Sequence, residues 1–381
     1  MVKALFTYVP YAAFVLLALV YVLPACRAYR IGPRGQAAMS AFLLLCCSKF
    51  LCYRAFGGDA FNPELAQGLI WTWNWLYSGA MLLLALSIAF FFVPRRVKAV
   101  MLPVLAWTIA AWGVWHGVKV PAVREVEIWC PGLPPALDGY RIVHVADVHV
   151  SAAAPRWRTE AIVALANAAD ADLAVCTGDI VDGSPRRRRR DVEPLKDLRA
   201  RDGVYYVTGN HEFYGEWDSW SDIFAKWGMR FLRNECVFPR EGLALGGVDD
   251  EAIFRWRARA TAPDVGMAFA AATNGEFRVL LQHQPRDARA NVFSGVRLQL
   301  SGHTHGGVMP ILNILVSRVN DGFVRGEYRI SADGAASGQE GRLFVSPGCG
   351  QWAGFPVRFF DDPEISVLVL RRGTEVPADG G

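Results

Sequence analysis

The chain has 381 residues, with 40 Lys/Arg, 36 Asp/Glu and only seven His, for a formal charge of +4. A basic balance ordinarily raises nucleic acid as a partner, but ten of the Lys/Arg and only two acids, Asp59 and Glu64, fall in the first 120 residues. The basic excess therefore belongs to an apolar region, the remainder is net negative, and nucleic acid is disfavoured as a partner.

The first third reads as a membrane region of about four helices, residues 1–122. Apolar runs cover 4–24, 37–52, 69–93 and 100–118, the second carrying Lys49 and the third opening on a Trp/Tyr cluster suited to a membrane interface. A signal peptide is the competing reading of 1–25, with "LPAC" as a weak lipoprotein cleavage box. Three further apolar segments and the following Arg27, Arg30 and Arg34 favour a retained helix. Those arginines and the group Arg95, Arg96 and Lys98 mark cytoplasmic loops. Four crossings then place both termini outside, which in a bacterium puts the C-terminal part in the periplasm. If the second segment does not span, the assignment inverts. The eight cysteines show no metal-type spacing, and a disulfide cannot be paired from sequence.

From about 123 the texture changes to an α/β domain, residues 123–375, with a flexible tail at 376–381. Strand-length apolar runs lie at 123–129, 140–146, 172–177, 203–208, 277–282, 296–301, 342–346 and 364–370. Helical stretches lie at 158–169, 192–200 and 219–228. Strand–helix alternation followed by a strand-rich half predicts two sheets packed together with helices outside.

Chemistry in such sheets gathers beyond the carboxyl ends of strands. Asp147 and His149 follow the run 140–146. Asp179 and Asp182 follow 172–177. Asn210, His211 and Glu212 follow 203–208, His283 follows 277–282, and His303 and His305 follow 296–301. Each motif alone is an ordinary polar turn, but five at corresponding positions are not. Imidazole and carboxylate suit borderline divalent cations, and Asn adds a neutral oxygen. The Gly-flanked turn "SGHTHGG" lets His303 and His305 approach two ions from different directions, and Asp179 is the natural bridge.

The order D-x-H, GD-x-x-D, GNH-E, H, GH-x-H over about 140–306 resembles the calcineurin-like metallophosphoesterase superfamily. "LPPALDGYRIVHVADVHV", "GVYYVTGNHEFYG", "GVDD", "QHQPR", "SGHTHGG" and "EISVLVLR" resemble its membrane-anchored bacterial branch. The resemblance implies a two-sheet αββα sandwich and two divalent metal ions, Mn, Fe, Zn or similar. It implies Asp147, His149, Asp179 and His305 at the first metal, a bridging Asp179, and Asn210, His283 and His303 at the second. It implies His211 as the non-ligand histidine that contacts the phosphate or protonates the leaving oxygen. Asp182 either orients His211 or caps a turn. Ser151 stands where the family commonly has Gly, and "VMP" follows the last motif in place of a Gln-plus-aromatic pair; both concern substrate fit.

"RRRRR" (186–190) either rims the site, for anionic headgroups or a substrate phosphate, or is a solvated loop or membrane-surface contact. Trp352 and Phe355 either form a substrate lip or pack in a core, and Glu212 supports its loop. The expected function is a membrane-anchored metallophosphoesterase acting on a phosphodiester, pyrophosphate or phosphomonoester, small or lipid-linked, by attack of a metal-bridging hydroxide. The alternatives are a nuclease of the same superfamily, or a membrane sensor that binds metal or nucleotide without turnover. Oligomeric state is not legible.

Overall fold

The computed structural model describes residues 2–58, 62–256, 262–331, 340–359 and 361–373. It forms two compact units. One is Met1–Val118 with Trp352–Phe359, and the other is Lys119–Gln351 with Phe360–Gly381. The tail expected at 376–381 lies outside the described residues.

In the helical unit, Tyr8–Tyr29, Gln67–Ala89 and Arg95–Val118 are long and apolar enough to cross a membrane. The first widens into a π-turn at Ala18–Val22 just before Pro24. Proline has no N–H to donate and its ring crowds the preceding turn, so a locally wider helix relieves both. The second expected segment is two helices, Pro33–Cys47 and Lys49–Phe56, bent by 63°. The break is at Ser48, whose N–H and hydroxyl both turn back to the Leu45 carbonyl at 3.1 and 2.7 Å. That tightens the turn and redirects the chain.

The bend points Lys49 inward, where it is fully buried. Its ammonium donates to Asn74 Oδ1 at 2.9 Å and to the Gly354 carbonyl at 2.8 Å. It also lies 4.3, 4.4 and 5.0 Å from the ring centres of Phe50, Tyr77 and Phe355. Asn74 in turn donates to Tyr53 Oη and the Ile70 carbonyl. Phe355 thus belongs to the packing around Lys49 in the helical unit.

The α/β unit carries twelve strands: β1 (Ala122–Cys130), β2 (Arg141–His144), β3 (Leu173–Cys176), β4 (Val204–Tyr206), β5 (Met229–Phe231), β6 (Glu235–Arg240), β7 (Leu243–Gly247), β8 (Phe277–Leu281), β9 (Leu298–Ser301), β10 (Gly326–Ser331), β11 (Glu340–Val345) and β12 (Glu364–Arg372). They make two six-stranded mixed sheets, β1-β12-β2-β3-β4-β5 and β10-β11-β9-β8-β7-β6. Strands β2 to β5 run parallel, as do β11, β9, β8 and β7. Ile142, Leu173 and Val175 of one sheet meet Leu245, Val279 and Leu298 of the other in a shared core. A second cluster packs Ile162, Trp217, Trp220 and Phe224 of the helices Arg156–Ala168 and Trp217–Lys226 against the outer face of the first sheet. The expected αββα sandwich is the fold.

The sequence reading omits β5, β6, β7 and β10. Three of these are sheet edges, one of three residues and one interrupted by Pro239, and the fourth ends in two glycines. The arginine run is not a loop. It forms most of a helix, Pro185–Val192, and the helix expected at 192–200 is a 3₁₀ turn, Glu193–Asp197. Ser184-Pro185 starts the helix early, since proline suits its first turn. Arg188 is buried and ion-paired to Asp191 at 3.1 Å. None of the eight cysteines is in a disulfide.

Candidate metal centre

The carboxyl ends of the parallel strands β2, β3 and β4 in one sheet, and β8 and β9 in the other, deliver all the expected groups. Asp147, His149, Asp179, His303 and His305 all have positive φ, from 48° to 70°. Non-glycine residues adopt that conformation at a cost, and its concentration at one place marks a functional site. The surrounding backbone holds it. His303 N–H donates to both Asp147 oxygens at 3.0 and 3.1 Å, and His211 N–H donates to Asp179 Oδ1 at 2.8 Å. A Cβ on Gly209 would strike Asp179, and one on Gly302 would strike Asp147, so only glycine fits at either position.

Two clusters result. In the first, His149 Nε2 lies 3.2 Å from His305 Nε2 and 3.6 Å from Asp179 Oδ2, with Asp147 Oδ1 4.0 Å from His305 Nε2. In the second, His283 Nε2 lies 3.1 Å from His303 Nδ1, 3.2 Å from Asn210 Oδ1 and 3.4 Å from Asp179 Oδ2. Asp179 Oδ2 belongs to both.

The tautomers follow from the other ring nitrogens. His283 Nδ1 faces the Thr177 carbonyl at 2.7 Å, and His305 Nδ1 faces the Gly350 carbonyl at 3.2 Å. His149 Nδ1 faces Asp182 at 3.2 Å. Carbonyl and carboxylate oxygens only accept, so each Nδ1 carries a proton, and in the neutral imidazole each Nε2 presents a lone pair. Lone pairs and carboxylate oxygens then converge with no hydrogen between them. Such an arrangement is repulsive unless a proton or a metal cation sits among them. Burial would lower the His283 imidazole, but the Asp179 and Asp147 charges outweigh it and raise it well above its ordinary value. The residues therefore fit two adjacent divalent ions sharing one carboxylate.

His149, Asp182 and His211 form a third close group. Here His211 Nδ1 is 2.6 Å from Asp182 Oδ1. Donors already face this carboxylate, so it orients two imidazoles and leaves no place for an ion. Burial opposes the Asp182 charge, but His149 and His211 hold its carboxyl well below the usual range. Burial would likewise lower His211, but Asp179 and Asp182 outweigh it and hold the imidazole up at about 9.

Glu212 has a larger part than its loop suggested. Its buried carboxylate accepts from the N–H groups of Gly209, Asp179 and Ile180 at 2.7, 2.8 and 2.7 Å, tying the β3 and β4 loops together. Burial, reinforced by the Asp179 charge, pushes it up to about 7. The loop after β11 was read only for Trp352 and Phe355, and its glycines were missed: Gly350 orients His305, and a Cβ on Gly348 would meet Asp147. The signal was present, since "PGCG" follows β11 as the other motifs follow their strands.

The calcineurin-like phosphoesterase family model matches residues 140–307, the segment that supplies these groups. The chain contains a calcineurin-like metallophosphoesterase domain. It is 31% identical to a transmembrane protein with metallophosphoesterase domain from Danio rerio, over 72% of this chain and 63% of that protein. It is 30% identical to an uncharacterized metallophosphoesterase from Helicobacter pylori, over 68% of this chain and 66% of that one. The chain thus spans somewhat under two thirds of the length of the first of these relatives. Among solved structures, a dimetal phosphatase from Danio rerio matches with a TM-score of 0.32 and 14% identity, over 56% of this chain and 88% of that one. The metallophosphoesterase domain and the apolar helices before it agree with the name of the Danio rerio relative.

Proposed function

We propose that this protein is a membrane-anchored, dinuclear metal-dependent phosphoesterase, hydrolysing a phosphodiester, pyrophosphate or phosphomonoester, small or lipid-linked. The observation that carries the reading is the convergence of acceptor atoms into two clusters that share Asp179 Oδ2. Asp147, His149, Asp179 and His305 would hold one ion, and Asp179, Asn210, His283 and His303 the other. When bound, such ions supply Lewis acidity to phosphoryl oxygens and acidify an attacking water. Asp182 fixes the His211 ring and favours its protonated form. His211 Nε2 then addresses a phosphate oxygen or gives a proton to the leaving oxygen. Glu212 keeps the Asp179 and Asn210 loops in register. A net negative domain weighs against a nuclease, and a complete set of donor groups beside an oriented His211 weighs against a sensor without turnover.

The test is hydrolysis of a chromogenic phosphodiester by the full chain in detergent, after chelation and reloading with Mn²⁺, Fe²⁺ or Zn²⁺. Wild type should turn over with at least one of them. His211→Ala should keep about two ions per chain and lose roughly 10²–10⁴-fold in rate. A wild type inert with every divalent ion sinks the hydrolase reading.

We further place the protein in a bacterial inner membrane with the metallophosphoesterase domain in the periplasm. Counting the bent pair as one crossing puts Arg27, Arg30 and Arg34 on the same side as Arg95, Arg96 and Lys98, whereas three crossings would separate the two basic groups. Basic loops stay cytoplasmic, which favours four crossings. Protease added to intact spheroplasts should degrade the domain; protection until the membrane is broken would reverse the assignment.

A further inference from the structure

The turn that carries His303 and His305 runs straight into a ten-residue helix, Pro310–Val319, "PILNILVSRV". Seven of its residues are apolar and none is acidic. No described side chain on it is buried, and Ile314, Leu315 and Val319 are 57%, 56% and 57% exposed. At 100° per residue these three share one face, and Arg318 lies within it. Arg318 is exposed and makes no ion pair among the described residues.

The helix is nonetheless firmly attached to the turn. Asn313 N–H donates to the Met309 carbonyl at 2.8 Å, and a Cβ on Gly307 would run into the Asn313 side chain. Thr304 Oγ1 donates to the Val324 carbonyl at 2.6 Å, and the Asn320 side chain donates to the Val316 carbonyl at 2.9 Å. Leu312 and Val316 are half-buried, while the face of Ile314, Leu315 and Val319 stays turned outward. An exposed apolar face of this kind marks a surface for a partner outside the domain.

We infer that the Pro310–Val319 helix docks in the plane of a lipid bilayer, with Ile314, Leu315 and Val319 among the acyl chains and Arg318 reaching lipid phosphates. Three features select a bilayer over a protein. The same chain carries three to four membrane-spanning candidates, so the domain is tethered at a membrane surface. The apolar face has a lone cation within it, whose stem can lie along hydrocarbon while its head meets an anion. At about 15 Å the helix is too short to span and suits lying flat. The consequence is to hold the His303–His305 turn at headgroup level.

The test uses the full chain in phospholipid vesicles, with Cys52→Ser and Cys236→Ser removing the two partly accessible thiols. An environment-sensitive dye is attached through Leu315→Cys, or through Arg230→Cys as a control at an exposed site on β5. Brominated lipid should quench the dye at 315 at least twofold and spare it from aqueous iodide; position 230 should behave in the opposite way. Adding Arg318→Glu should weaken lipid quenching at 315. Iodide quenching at 315 without lipid quenching overturns the inference, because the helix is then in water. Protection from both quenchers also overturns it, because a protein surface then covers the helix. Neither result depends on turnover, so the phosphoesterase reading stands or falls separately.

Discussion

The helical unit buries a cation and the α/β unit buries carboxylates, and their surroundings differ in kind. Around Lys49 every neighbour is complementary: the Asn74 and Gly354 oxygens accept its protons, and aromatic faces surround it. Beside Asp179 Oδ2 stand the Nε2 atoms of His149 and His283, at 3.6 and 3.4 Å, which present lone pairs when the rings are neutral. The first set is satisfied by the protein's own groups, while the second fits a shared cation. Buried polarity alone therefore does not identify a site. Convergence of atoms of one electrostatic sense does.

The most severe way to break this contrast is Asp179→Asn. The side chain keeps its size but loses the charge that both clusters share. Bound metal should fall from about two ions per chain to near none, and diester turnover by on the order of 10³-fold or more. Circular dichroism should not change. A variant that still holds two ions would show that the clusters do not depend on a common carboxylate.

A smaller effect separates two histidines five residues apart. His149 belongs to the candidate metal centre, whereas His144 on β2 is buried with Nε2 2.8 Å from Thr177 Oγ1 and its ring beside Phe344. Burial pushes the His144 imidazole down to about 3. In the unfolded chain it titrates near about 6.5, so between those values the unfolded state binds the extra proton. The stability contribution is complete above about pH 6.5 and is lost as pH falls toward about 3. Between pH 7 and pH 4 it should amount to about 3 kcal/mol. His144→Gln, which can still reach Thr177, should show a correspondingly flatter pH dependence of unfolding in detergent. An unchanged slope would mean that His144 is solvated.

The same distinction governs how much the sequence revealed. Every group in the two clusters was legible because the chain has few histidines and five of them follow strand runs. The strands were legible where they are apolar runs free of glycine, so the central β7, which ends in two glycines, was not. β5, β6 and β10 were not, since an edge strand needs neither a long apolar run nor freedom from proline. Glu212 was legible only as a local support, because its partners are backbone N–H groups of two loops about thirty residues apart in sequence. The Gly350 carbonyl had only the glycine motif after β11 as its signal, with no side chain to mark its role. Lys49 read as a flaw in an apolar segment, and its resolution by Asn74, Gly354 and three aromatic rings is a tertiary fact.

The mildest test concerns that lysine. If its surroundings only accommodate it, Lys49→Met should change thermal stability in detergent little, since an apolar chain of similar length can replace a buried charge at about 1 kcal/mol or less. Asn74→Leu should be worse, by about 2–3 kcal/mol, because the ammonium stays buried with one acceptor removed. Combining the two should recover much of that loss, as the unpaired charge disappears with its former partner. Diester turnover should stay within about twofold throughout, because an interaction made equally in ground and transition states does not alter the rate. A large loss of turnover in Lys49→Met with stability intact would place Lys49 in the function of the protein, and the contrast between the two units would then be one of position and not of purpose.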